Sequence, residues 1–194
     1  MYSVIIGFST VAYRKNIVAF QDEVQLYEPL KQEILSGEEL AALQSLCNTN
    51  GESVFCSERA VIRKEIYHSM IYYRAGNSCS FIVRVEDRDR EMIFFGKILK
   101  FVIIQEEAVS LMKRLHHHEN INICKDSKNP PTNPMLRRLV HDGTLGTHYA
   151  AVEEVDDVLA VYCKFITSKC IFIRTDQIQG VDGFITCVMT DYYS

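Results

Sequence analysis

The chain has 194 residues and a mass of 22.3 kDa, with 47% hydrophobic and 24% charged positions. One domain, or one domain with a small appendage, is the expected organisation, and that hydrophobic content with ten Tyr and ten Phe excludes global disorder. Twenty-one basic against 25 acidic residues leave a net charge of −4, which argues against wholesale coating of nucleic acid and leaves room only for a local basic patch.

Met1 to Glu52 reads as an N-terminal arm, an extended segment with one or two short helices. Its start, MYSVIIGFSTVAYRK, lacks a basic leader and a long apolar core, so it is not expected to be a signal peptide. Val24, Tyr27, Leu30 and Ile34, then Leu40, Leu43 and Leu46, recur at three- and four-residue spacings. Ser36 followed three residues later by Glu39 is a capping box, predicting a helix through Leu46 that the NTNGE turn closes.

From Ser53 to the end the texture is β, rich in Ile, Val, Phe and Tyr. Phe81, Val83 and Val85 alternate with Ile82, Arg84 and Glu86, predicting a two-faced strand, and the charged run Asp87 to Arg90 is a plausible hairpin turn. Gly96 interrupts the next apolar run, which suggests a bulge or sharp bend of the kind a small barrel needs. Ala108 to His116 could be helix or strand, and its strand neighbours favour strand. Glu119 to Thr147, with three prolines and two glycines, is expected to be a long irregular loop. The β pattern then resumes, with turns expected at Asp156-Asp157, Thr167-Ser168 and Gln179 to Gly183. The fold class is therefore mainly β: a small curved antiparallel sheet or half-closed barrel over 53–194, with a short N-terminal helical arm.

No signature of catalysis stands out. Seven scattered cysteines, without C-x-x-C spacing and in part inside apolar runs, read as reduced thiols that pack like small hydrophobes in a nuclear or cytoplasmic protein. No stretch approaches the length of a membrane span. His116-His117-His118, with Cys124, His141 and His148 nearby in sequence, is the one candidate for a metal-stabilised or metal-dependent domain. Adjacent side chains on a strand diverge, however, so at most two of the three histidines could meet one ion. The doublets Glu106-Glu107, Glu153-Glu154 and Asp156-Asp157 split to opposite faces in the same way. There is no nucleotide-binding glycine loop and no G-x-S-x-G elbow. Arg59, Arg63, Lys64, Arg74, Lys97, Lys100, Lys113-Arg114 and Arg137-Arg138, interleaved with Tyr67, Tyr72, Tyr73 and Phe95, could contact nucleic acid weakly.

Several of these features fall in one order: Arg59-Ala60, Tyr67-His68-Ser69, Tyr73-Arg74, Asn77-Ser78-Cys79, the strand Phe81 to Val85, and Phe95-Gly96-Lys97-Ile98. In that order they resemble the C-terminal β-rich accessory region of transposon-derived proteins related to CACTA (En/Spm-type) transposases, and the tail around Cys163 and Cys170 to Ile173 fits loosely. The resemblance covers about two-thirds of the chain. It implies a barrel similar to bromo-adjacent-homology domains, which bind proteins or chromatin. With no room for an upstream nuclease core, it also implies a part without strand-transfer activity. Glu65 stands where the family often has Gly or Asn, so a different turn is expected there. The expectation is a non-enzymatic module without cofactor, catalytic residue or metal, engaging a protein partner through Tyr67, His68, Tyr72, Tyr73 and Arg74. Those same residues could instead serve the fold, Tyr as a ring anchor and His68-Ser69 as a turn bond.

Overall fold

The computed structural model describes residues 17–19, 23–49, 53–72, 80–87, 89, 91–118, 150–174 and 181–187. Strands dominate. β1 (Ile17–Ala19), β2 (Val24–Tyr27) and β3 (Lys31–Ile34) precede the single helix of the described residues, α1 (Gly37–Leu46). Then come β4 (Ser53–Ser57), β5 (Arg59–Ile62), β6 (Glu65–His68), β7 (Ile82–Asp87), β8 (Met92–Ile104) and β9 (Glu107–His118). β10 (Ala150–Tyr162) leads through the 3-10 turn η1 (Cys163–Phe165) to β11 (Ile166–Arg174) and β12 (Gly183–Cys187).

Two antiparallel sheets result. The small one runs β1-β2-β5-β6, and the large one runs β3-β4-β8-β7-β11-β12-β10-β9. β9 also pairs with β8, so the large sheet closes on itself as the ring β7-β8-β9-β10-β12-β11 and back to β7. Closure removes strand edges that would otherwise be open to foreign chains. It depends on bent strands. β8 has 13 residues and shifts register between Ile98 and Lys100, so Phe94 and Ile98 before the shift and Phe101 after it reach one core cluster. Gly96 lies close to this bend, where a Cβ would stand 2.6 Å from Met112 Sδ.

Two expected turns are corrected. Asp156-Asp157 lies inside β10, where the register shifts between Glu154 and Val158, and Thr167-Ser168 lies inside β11, where it shifts between Ile166 and Ser168. Both polar doublets mark bulges, and the chain crosses at η1 from β10 to β11, which run in the same direction on either side of β12. The spacing that suggested helix before Pro29 is also misleading, since Val24 and Tyr27 are in β2, where Val24 pairs with β5 and Tyr27 with β1. The predicted helix at Ser36 and the strand at Ala108 to His116 are present as α1 and β9. The long segment expected at Glu119 to Thr147 lies outside the described residues.

Packing follows from alternation. α1 presents Ala42 and Leu43 to Val102 and Ile104 of β8 and Val109 and Leu111 of β9. Every ring strand contributes to a second cluster: Ile82, Phe95, Leu115, Val152, Cys170, Phe172 and Ile185. In the third, Val24, Leu26, Ala60, Ile62 and Tyr67 of the small sheet pack on Val83, Val85, Phe94 and Ile98 of the ring. The inner face of the small sheet is thereby used up. Among the described residues no other sheet or helix packs on its outer face.

Candidate functional site

Period-two alternation puts Gln25 and Tyr27 of β2, Arg59 and Val61 of β5, and Ile66 and His68 of β6 on that outer face. Register then makes rows: Arg59 pairs with His68, and Val61 with both Gln25 and Ile66. Ser57 builds the corner. It is the last residue of β4, and its buried hydroxyl donates to the Tyr27 carbonyl (2.7 Å) and accepts from the Arg59 N–H (3.2 Å). The chain thus leaves the large sheet and enters the small one with Tyr27 and Arg59 side by side.

Beyond β6 the chain turns at once. Ser69 N–H bonds the Glu58 carbonyl (2.9 Å), Met70 N–H the Ile98 carbonyl (2.8 Å) and Tyr72 N–H the Ser69 carbonyl (3.1 Å). This turn folds Tyr72 back over His68, with ring centroids 4.6 Å apart and planes 17° apart. The Arg59 guanidinium carbon lies 4.7 Å from the Tyr27 ring centroid and 5.1 Å from that of Tyr72. Ser80 N–H donates to His68 Nδ1 (3.3 Å), which places the proton of the neutral imidazole on Nε2. The result is a preformed row, Tyr27-Arg59-Tyr72-His68. Apolar side chains flank it, with Ile66 43%, Met70 46% and Ile71 52% exposed.

Of the residues singled out from sequence, His68 and Tyr72 come together here. Tyr67 is corrected: it is 2% exposed, points the other way into the core, bonds the Glu65 carboxylate through its hydroxyl (3.4 Å), and lies under the Lys169 ammonium. Tyr73 and Arg74 lie outside the described residues. Tyr27 escaped the sequence reading, because it stands 32 positions before Arg59 and only the β2–β5 pairing unites them. Ile66 could have been found, since the alternation in EIYH sets it with His68 and against Tyr67. Glu65 follows a two-residue turn and pairs with Ile62, and its carboxylate lies 3.4 Å from Lys169 Nζ.

Three cations of the suspected basic patch are neutralised within the fold, and Arg74, Arg137 and Arg138 lie outside the described residues. Lys97 is nearly buried in an ion pair with Glu154, Lys100 bonds Glu33 and Glu39 (3.0 Å each), and Lys113 bonds Asp156 (2.7 Å). Arg63 donates to the carbonyls of Lys164 (2.8 Å) and Ile166 (3.4 Å). Burial pushes the Cys56 thiol up to about 12 with help from the Glu33 carboxylate, and burial pushes the Cys163 thiol up as well. Such thiols stay protonated and pack as hydrophobes. His116 and His117 are exposed at the end of β9, opposite Glu153 and Val152. No group of three or more His, Cys, Asp or Glu able to hold a metal occurs among the described residues. A groove of about 760 Å³ lined by Glu23, Arg63, Glu86, Asp89, Lys164 and Phe165 mixes both signs of charge, with Arg63 bound as above and Glu86 paired to Arg84. Among the described residues no helix is long and apolar enough to cross a membrane.

No protein-family model matches the chain, and no curated protein matches it.

Proposed function

We propose that this chain is a non-enzymatic interaction module that seats a protein partner on the outer face of the small sheet. One observation carries the reading. That face gathers two tyrosines, an arginine and a histidine in a preformed row beside exposed Ile66, Met70 and Ile71, while the ring below supplies a rigid support. Aromatic and arginine side chains held in place lose little entropy on binding, and such groups dominate interface energetics. The fold's own ion pairs absorb Lys97, Lys100 and Lys113, which favours a protein partner over a nucleic acid. The ordered resemblance to the accessory region of CACTA-related proteins agrees with this reading, and a nuclear, chromatin-associated partner is its natural extension.

The test is capture from nuclear and cytoplasmic extracts with the wild-type chain, with Ile66→Asp, and with Ile34→Asp as a control on the exposed end of β3. Proteins retained by wild type and Ile34→Asp but lost from a folded Ile66→Asp variant are the expected result. Capture unaffected by Ile66→Asp contradicts the assignment of the face.

A further inference from the structure

Resting on that reading of the face, we infer that Arg59 selects for an anionic group, a carboxylate or a phosphate monoester, on an extended peptide partner. Among the described residues its guanidinium has no carboxylate within ion-pair distance and no acceptor on its N–H groups, and its contacts are the rings of Tyr27 and Tyr72. Contacts over ring faces consume none of the five donors of a guanidinium, which form a planar fork matched to two oxygens. The rings also hold the side chain in place, so docking an oxyanion orders little that is not already ordered.

The setting sharpens the choice. The chain carries a net charge of −4, and it matches Lys97, Lys100 and Lys113 with carboxylates, yet leaves this cation unmatched on the face that nothing else covers among the described residues. The cross-strand partner of Arg59 is His68, on the same row. Two residues along the strands, Val61 and Ile66 form an apolar pair, with Ile66 exposed. An extended peptide presents alternate side chains to one surface at a repeat of about 7 Å, so one lying along β5 and β6 meets a cation and, two residues on, an apolar contact. The geometry therefore assigns to the bound segment an anion and an apolar residue two positions apart, in either chain direction.

The test is an NMR titration of the full chain with three pentapeptides, Thr-X-Thr-Val-Thr, where X is Glu, phosphoserine or Gln, with the same three in reversed order, Thr-Val-Thr-X-Thr, and with an oligothymidylate of equal length. The expected result is that at least one anionic peptide moves the Arg59 side-chain and His68 ring resonances with affinity about tenfold above the Gln peptide of the same order. Comparing Glu with phosphoserine tells which oxyanion is preferred. Arg59→Gln removes that advantage, and Arg59→Lys, which keeps the charge and stem but not the fork, reduces it and serves if Arg59→Gln fails to fold. Equal binding of all three peptides in both orders at this face overturns the inference and leaves the interaction module standing. Charge preference that survives Arg59→Gln, no binding at millimolar peptide, or binding of the oligothymidylate alone also overturns it.

Discussion

Lys100 ties three elements together: from β8 it reaches Glu33 on β3 and Glu39 on α1, and Glu39 also accepts from the Ser36 N–H as the second half of the capping box. Burial alone would push the Glu39 carboxyl up. The Ser36 bonds and Lys100 outweigh burial and hold it below its ordinary value. Lys100 is moved the opposite way, up despite burial, by Glu33 and Glu39. The contribution of Glu39 is therefore full above its unfolded pKa and lost as pH falls through the lower folded value. That of Lys100 is full below its unfolded pKa and lost as pH rises through the higher folded one. Glu39→Gln should cost about 1–2 kcal/mol at pH 7 and flatten the decline in stability below about pH 4.5, measured by urea unfolding across pH. A second residue-scale prediction concerns close approach. A Cβ on Gly183 would stand 2.6 Å from the Ile173 carbonyl oxygen and against the Phe172 ring, whereas one on Gly96 meets chiefly the flexible end of Met112. Gly183→Ala should destabilise by about 2–3 kcal/mol and Gly96→Ala by clearly less, read from denaturant midpoints.

At the scale of elements, both tight hairpins of the described residues use turns with two successive left-handed residues, Arg63-Lys64 (φ 49° and 69°) and Gln105-Glu106 (φ 49° and 66°). Such turns suit Asn-Gly, and an ordinary side chain in that conformation costs about 1–2 kcal/mol. Replacing Gln105-Glu106 by Asn-Gly should raise stability by about 1 kcal/mol, visible as a higher thermal midpoint. At Arg63 the strain has a use, because the turn aims the guanidinium at the carbonyls of Lys164 and Ile166. These residues also explain what the sequence concealed. Without Asn-Gly or Asp-Gly, the residues from Ser53 to Arg74 carry no turn signal of their own at 63–64, and only the family resemblance placed a turn nearby, at Glu65. Strands of 13 residues made the mid-strand doublet Asp156-Asp157 look like a turn. α1 was legible because its capping box is a local signal, and β9 because its neighbours were strands. The row of Tyr27, Arg59, Tyr72 and His68 was only half legible: His68 and Tyr72 lie close in sequence, while Tyr27 reaches Arg59 only through long-range pairing.

For the whole molecule, division of labour between the two sheets is the organising feature. The ring closes its own edges, buries Lys97 beside the more exposed Glu154, and carries α1 on one surface and the small sheet on another. The small sheet spends its inner face on that support and keeps Tyr27, Arg59, His68 and Tyr72 outward. The exposed edge strand β3 is short and carries Lys31 and Glu33, charges that discourage pairing with another chain. Together these features leave the outer face of β2, β5 and β6 as the surface where binding is expected. Amide hydrogen exchange on the wild-type chain, with and without a partner captured as described, tests this most directly. Added protection centred on residues 59–72 is the predicted result. Protection confined to β3 and β4, or to β11 and β12, with 59–72 unchanged would contradict it.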